Sequence, residues 1–294
     1  MTIVGALTRR SARLFLRDKA AVFFSFLSTL ILIGLYFLFI ARQYVQGIEQ
    51  SGAPLSGSAT YFLVYAQMMA GVLILNTVSL SLGVFSNIAA DLQAGRMNAL
   101  LLTRARPAQL TIAYYFSGIA VTAVLSLLTW AITYALIGLL TGYWLALATV
   151  LQAAGIILYA VFVGVSVMLL ITALVRSPAA LGTMSGVLGT FLGFLCGIYM
   201  PYAQLGVMTE RIGSLLPFTH LTIWLKRTVL LDAFDQLGFP AQVQAEMLGG
   251  EVFSASNIGF LGLDVPLWGM LAVAGVFAAG CLVGAVALLR RKKS

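Results

Sequence analysis

The chain has 294 residues, of which 61% are hydrophobic and 9% are charged, and its mean hydropathy is +1.02. Soluble domains carry about a quarter charged residues, so this composition excludes a water-soluble globular protein and predicts a chain folded in lipid. In such a chain the net charge of +8 predicts basic segments on one side of the membrane instead of nucleic-acid binding.

The N-terminal segment, residues 2–19, is predicted to form an amphipathic helix. On a helical wheel its apolar side holds Ile3, Val4, Leu7, Leu14 and Phe15, and its basic side holds Arg9, Arg13 and Arg17. This pattern favours an interfacial helix in the plane of the lipid headgroups, with the basic side toward anionic lipid. A solvated basic arm is the alternative.

Six uncharged stretches are long enough to cross a bilayer as helices. We predict transmembrane helices at 22–41, 61–85, 110–140, 145–175, 179–199 and 265–289. The uncharged run 107–175 is too long for one helix, and it divides at 141–144, where a glycine and interfacial aromatic residues indicate a turn. The predicted fold is an all-α integral membrane protein in a single transmembrane domain, 1–294.

The distribution of lysine and arginine predicts the orientation. With both termini in the cytoplasm, the inner segments hold thirteen of the 17 basic residues. The outer segments then hold only Arg42, Arg211, Lys226 and Arg227. Because basic loops are retained on the cytoplasmic side, both ends of the chain are expected there.

Two connections are longer than a turn. Segment 86–106 is predicted to lie in the cytoplasm as a helix, a break at Gly95 and a short helix ending at Thr103. Segment 200–264 is predicted to lie outside, with a helix over 217–231 that begins at Pro217 and dips into or lies upon the outer leaflet. These two segments are the main candidates for contacts outside the bilayer.

The sequence offers no catalytic or metal site. It contains no Gly-Lys dipeptide and hence no phosphate-binding P-loop, and its single histidine, His220, excludes an HExxH site. Asp232 and Asp235 are the nearest approach to paired carboxylates, and such a pair is usually a solvated helix face. The predicted spans carry no charge, so a carrier coupled to protons or sodium is disfavoured, and if the chain transports a substrate, a partner is expected to supply the energy.

Polar side chains and glycines mark two of the predicted spans. The second contains Gln67, Asn76, Thr77, Ser79 and Ser81, which either line a pathway or join helices by hydrogen bonds. The fifth carries a glycine strip at Gly182, Gly186, Gly189, Gly193 and Gly197. A strip of this kind allows close helix approach, either inside one bundle or at an interface between subunits.

Segment 91–103, with the sequence DLQAGRMNALLLT, resembles the segment between the second and third spans of ABC-2 type (ATP-binding cassette) transporter permeases. There an acidic residue precedes a glycine, and a leucine-rich short helix ends at threonine. The stretch Leu215–His220 followed by Lys226 and Arg227 is similar to that family's segment before its last span. The chain departs from the pattern at Gln93, Arg96 and Asn98.

The resemblance implies a complex of two permeases and two ATPase subunits, with ATP and magnesium bound by the ATPases and no cofactor bound by this chain. It assigns the coupling to the ATPase to Asp91, Gln93, Gly95, Arg96, Leu100, Leu101 and Thr103. It places the glycine strip near a second permease, and the whole chain in a bacterial cell membrane. Membrane lipid is an expected partner, and nucleic acid is not.

The function implied is ATP-driven export of a hydrophobic or amphipathic cargo such as a drug, an antimicrobial peptide or a lipid. One alternative is a membrane-embedded lipid-modifying enzyme, for which only Asp232, Asp235 and His220 are available. Another is a non-transporting sensor or immunity subunit that sequesters a peptide.

Overall fold

The computed structural model of the protein describes residues 3–50, 57–95, 107–175, 177–197, 199, 202–250, 252–255 and 266–291. Every regular element within these ranges is helical, and six of the helices are long and apolar enough to cross a membrane. The prediction of an all-α fold with six spanning helices is confirmed.

The helices follow one another along the chain with short connections wherever the connections are described. They are α1 (Ile3–Arg17), α2 (Lys19–Leu35), a π-helical turn (Tyr36–Ile40), α3 (Ala41–Gln50), α4 (Gly57–Gln93), α5 (Pro107–Thr141), α6 (Leu147–Val175), α7 (Pro178–Leu195), α8 (Tyr202–Ser214), α9 (Pro217–Gln236), α10 (Ala241–Gly249) and α11 (Leu267–Arg291). In the π-helical turn the Ala41 N–H donates to the Tyr36 carbonyl, so α2 and α3 join into one helical stretch.

The apolar windows of the six candidate spans lie close to the predicted ones, except for the first. They are Thr29–Gln46, Gly57–Ala90, Ala108–Thr141, Leu147–Val175, Pro178–Leu195 and Leu267–Leu288. The first span was predicted at 22–41 because Arg42 ended the uncharged run, whereas the helix continues to Gln50. An arginine near a helix end can extend its side chain to the interface, so it need not end the span.

Helix α4 is the centre of the bundle. It packs against α2, α3, α5, α6, α7 and α9, and 89% of its apolar window is buried, against 18% for α7 and 22% for α11. The exposed apolar side chains of the outer helices, such as Leu139 and Val276, are those that a bilayer would cover. The hydrophobic core is therefore organised around α4.

Helix α9, predicted to dip into or lie upon the outer leaflet, is an internal element of the bundle and does not lie upon its surface. It packs on α4, α6 and α11, and Leu221, Leu225 and Val229 are fully buried. The polar residues Thr219 and Lys226 on other sides of the helix are buried as well. A helix lying on a surface would expose one side along its whole length, and α9 does not.

The predicted amphipathic helix forms as α1, and part of its apolar side faces protein, although Leu14 is exposed. Thr8 Oγ1 donates to the Ala113 carbonyl at 3.2 Å, and Phe15 lies in a buried cluster with Val84 and Val121. Thr8 thus lies near Ala113, and Phe15, further along α1, lies near Val121, further along α5. The two helices therefore run in the same direction, with α1 beside the first half of α5. Its arginines at positions 9, 13 and 17 remain exposed.

Candidate functional site

The predicted coupling segment begins where α4 ends. Asp91 lies in the last turn of α4, and Gln93 is its exposed final residue. Gly95 follows with φ +67°, the left-handed conformation that commonly ends helices at glycine. The left-handed backbone conformation of Gly95 therefore explains why α4 ends there. Arg96, Leu100, Leu101 and Thr103 lie outside the described residues.

Exposed basic side chains lie on α1, which packs against the first half of α5, the helix that follows the coupling segment. Because Arg9, Arg13 and Arg17 are exposed on α1, this helix presents a basic surface, the α1 surface. Such a surface suits an acidic protein partner or anionic lipid headgroups.

Asn76 joins three helices through its side-chain amide. Its Oδ1 accepts a hydrogen bond from Thr29 Oγ1 of α2 at 2.6 Å, and its Nδ2 donates to Thr129 Oγ1 of α5 at 3.2 Å. All three residues are buried. Bonds of this kind between apolar helices contribute about 0.6 kcal/mol on average in membrane proteins. In this structure Asn76 thus acts as an interhelical contact.

The other polar residues of α4 differ in their surroundings. Thr77 is buried and donates to the Ile74 carbonyl of its own helix at 2.7 Å, while Ser79 is half-buried. Gln67 Nε2 donates to the Val252 carbonyl, far along the chain, at 2.9 Å. Gln67 and Asn76 therefore connect separate segments, and a pathway along α4 stays a prediction.

Lys226 is a buried cation that the sequence analysis placed in an outer loop. It is 4% exposed, and its Nζ donates to the Phe253 carbonyl at 3.0 Å. No carboxylate in the described part of the chain pairs with it. A buried lysine is costly and uncommon. The available sequence signal was its position beside Leu225 and three residues before Val229, within the apolar pattern of α9.

Burial lowers the pKa of Lys226 from 10.5 to about 8, which predicts a stability that depends on pH. Between these values the unfolded chain holds a proton that the folded chain has lost, so the free energy of unfolding rises with pH. Below about pH 8 the buried charge destabilises the fold in full, on the order of 3 kcal/mol. We therefore expect the Tm to rise between pH 8 and 10, and the rise to be smaller in Lys226→Met.

The matched control for this prediction is the exposed neighbouring cation, in the variant Arg227→Met. Thermal unfolding of the three detergent-solubilised proteins across this pH range is the measurement. The control should keep the wild-type slope of Tm against pH. Equal slopes in the wild type and Lys226→Met would contradict a titrating buried lysine.

The glycine strip of α7 divides into an open part and a covered part. A Cβ built on Gly182, Gly186 or Gly189 meets no described atom within 4 Å, whereas one on Gly193 would overlap the ring of Tyr199. Gly193 and Gly197 are buried. The covered part thus packs inside this chain, and the open part is available to another surface.

Of the residues of the enzyme alternative, Asp232 and Asp235 line one cavity, and His220 lies apart from them. His220 is buried, with its Nε2 2.7 Å from the Ser214 carbonyl. Asp232 Oδ2 accepts the Ala146 N–H beside the start of α6, and Asp235 accepts from Gln244. Twelve residues of helix place His220 and Asp232 about 18 Å apart along α9. Within the described ranges no three His, Cys, Asp or Glu residues are grouped as metal ligands.

A bundle of six apolar helices, one of them buried at its centre and ending near Gly95, with a basic surface on α1, defines a multi-pass membrane protein. The chain belongs to the ABC-2 type transporter family, whose model matches residues 2–228. The match ends within α9, so α10 and α11 lie beyond it. No curated protein showed significant similarity to the chain.

Family membership makes this chain the permease subunit of a transporter and implies an ABC ATPase subunit as its partner. The expectation that it is a transport subunit, and not a catalytic enzyme, agrees with the family.

Proposed function

We propose that this protein is the permease subunit of an ATP-driven exporter, which moves a hydrophobic or amphipathic cargo outward across a bacterial cell membrane. The observation that carries the proposal is the family match over residues 2–228 on a bundle of six apolar helices. The complex contains two permeases and two ATPase subunits, and both termini of the permease lie in the cytoplasm.

The charge content of the spans supports an external source of energy. Five of the six candidate spans contain no Asp, Glu, Lys or Arg, and the first contains only Arg42. Ion-driven carriers normally use ionisable residues at bilayer depth as proton or ion relays. Hydrolysis of ATP in a separate partner therefore fits this chain better than a proton gradient does.

Force from the ATPase enters through segment 91–103 and the α1 surface. The segment is attached directly to α4, the most buried helix, so a push on it moves the helix that contacts most of the bundle. Helix α1 supports the neighbouring α5 through the contacts of Thr8 and Phe15. Tilting of α4 and α5 would then open a path for cargo.

The open part of the glycine strip, Gly182, Gly186 and Gly189, is the contact with a second permease. Helix α7 is the least buried of the candidate spans, and the absence of side chains at these positions allows another backbone to approach closely. Small residues also allow two helices to slide during the cycle. The second permease is an identical or a related chain.

Transport in vesicles tests the proposed function. The permease, purified with its ATPase, is reconstituted into liposomes with a fluorescent amphipathic dye or a fluorescent phospholipid, with the ATPase side facing out. We expect ATP-dependent movement of one of these probes into the lumen, and no movement with a hydrolysis-deficient ATPase. Chemical conversion of the lipid without movement would instead favour the enzyme alternative.

A further inference from the structure

Residues Val252–Ala255 form a short segment, the strap, that lies over the bundle after α10. The Ser254 N–H donates to the Gly250 carbonyl and the Ala255 N–H to the Leu248 carbonyl. The Phe253 ring packs edge-on against the Phe234 ring of α9, with centroids 5.5 Å apart. The strap is thus fixed at one end to α10 and by one aromatic ring to α9.

Two buried side chains hold consecutive carbonyls of the strap. Gln67 of α4 donates to the Val252 carbonyl, and Lys226 of α9 donates to the Phe253 carbonyl. Each of these donors is 4% exposed. Side chains from two different helices therefore hold two consecutive peptide units of the strap, and the strap joins α4 to α9.

A small cavity beside these donors has room for one water molecule. Its volume is about 10 Å³, and it is lined by Tyr44, Gln67, Met68, Gly71, Gly197 and Lys226. Gln67 Oε1 is buried and has no hydrogen-bond partner in the described structure. The Lys226 ammonium has three donors and uses one on Phe253. A water can accept from Nζ and donate to Oε1, which satisfies both groups.

We propose that Gln67 and Lys226, with one water between them, form a latch that holds the strap across α4 and α9 and that opens during transport. The part that concerns the cycle rests on the proposed function. The cavity is lined by residues of α3, α4, α9 and the end of α7, so separation of these elements breaks the latch. Polar contacts suit a reversible closure because water replaces them when the strap lifts.

Hydrogen exchange of the strap amides, measured by mass spectrometry in lipid nanodiscs, tests the latch without any transport assay. The full chain is compared with Lys226→Met, Gln67→Leu and the control Arg227→Met, which removes an exposed cation next to Lys226. We expect exchange over 252–255 to be about tenfold faster or more in the first two variants, since each loses a buried hydrogen bond to the strap. The control should match the wild type.

Wild-type exchange in both Lys226→Met and Gln67→Leu would overturn the latch, and so would equal acceleration in Arg227→Met. Gln67→Leu serves as an independent variant if Lys226→Met does not assemble. For the water, a high-resolution density map should show an ordered peak in the cavity. A direct hydrogen bond from Lys226 Nζ to Gln67 Oε1 would overturn the proposal of a bridging water.

The link to transport is tested on the complex of the wild-type permease with its ATPase. Hydrogen exchange of the strap is compared between the nucleotide-free complex and the complex trapped with ATP and vanadate. Faster exchange of the strap in the trapped state supports opening during the cycle. A latch that breaks in the variants but is unchanged by nucleotide would overturn the link to transport and leave the latch itself intact.

Discussion

Replacement of Gly186 by leucine is expected to abolish association between two permease subunits and, with it, transport. A Cβ at this position meets no described atom within 4 Å in the single chain, so leucine should leave the fold of the monomer unchanged. At a close helix–helix contact, however, its side chain would separate the two backbones and remove the packing that holds them. We expect at least a tenfold drop in the dimer fraction.

The matched control is Gly155→Leu on α6, where a Cβ also meets no described atom within 4 Å. Subunit counting by single-molecule photobleaching in nanodiscs is the measurement. An unchanged dimer fraction in Gly186→Leu, or an equal loss in Gly155→Leu, would contradict the assignment of the open glycines to the permease–permease contact.

Gly138→Ala is expected to destabilise the folded chain, with a fall in Tm of roughly 5 °C. The Trp144 indole lies over Gly138, and a Cβ there would be 2.5 Å from its Cε3 atom. The indole is 47% exposed, but a shift would disturb its contact with the Tyr134 ring, whose centroid is 5.3 Å away, and the turn that Gln236 Nε2 holds through the Trp144 carbonyl. Overpacking of this kind costs about 1–3 kcal/mol.

For Gly138→Ala the control is Gly155→Ala, which adds the same methyl group to a helix at an open position. Alanine is a better helix former than glycine, so the control should match or slightly exceed the wild-type Tm. Thermal unfolding followed by intrinsic fluorescence gives both values. A Tm of Gly138→Ala equal to that of the control would show that the turn at 142–146 adapts without cost.

The spanning helices could be predicted from sequence because lipid imposes a strong and local rule. A stretch of about 20 uncharged apolar residues satisfies its backbone only as a helix, and α5 and α6 follow that rule nearly to their ends. Arg42 shows where the rule is weak. A single charge near a helix terminus reaches the interface through its side chain, so the helix continues past it.

The position of α9 could not be predicted in the same way. Its residues include His220, Lys226 and Arg227, which lower its hydropathy and are typical of a surface segment. It is buried because α4, α6 and α11 surround it and because the Phe253 carbonyl accepts from Lys226. Both causes are tertiary, and the partner of Lys226 lies 27 residues away along the chain.

The candidate site was predictable in part. The end of α4 near Gly95 has a local cause, a left-handed glycine, while the short helix predicted after it lies outside the described residues. The two hydrogen bonds of Asn76, one with Thr29 and one with Thr129, depend on which helices adjoin α4. That information is not in the sequence pattern of α4 itself. The glycine strip looked uniform, yet Tyr199 covers Gly193 and leaves Gly186 open.

The central claim, that this permease draws its energy from a separate ATPase, is tested most directly by affinity purification from native membranes followed by an ATPase assay. We expect a soluble P-loop ATPase to co-purify and to hydrolyse ATP, and substitutions at Gly95, Leu100 and Leu101 to reduce both its association and its turnover. Transport of cargo by the purified chain with no nucleotide-hydrolysing partner would contradict the account. Unchanged association and turnover in all three variants would contradict the assigned coupling segment.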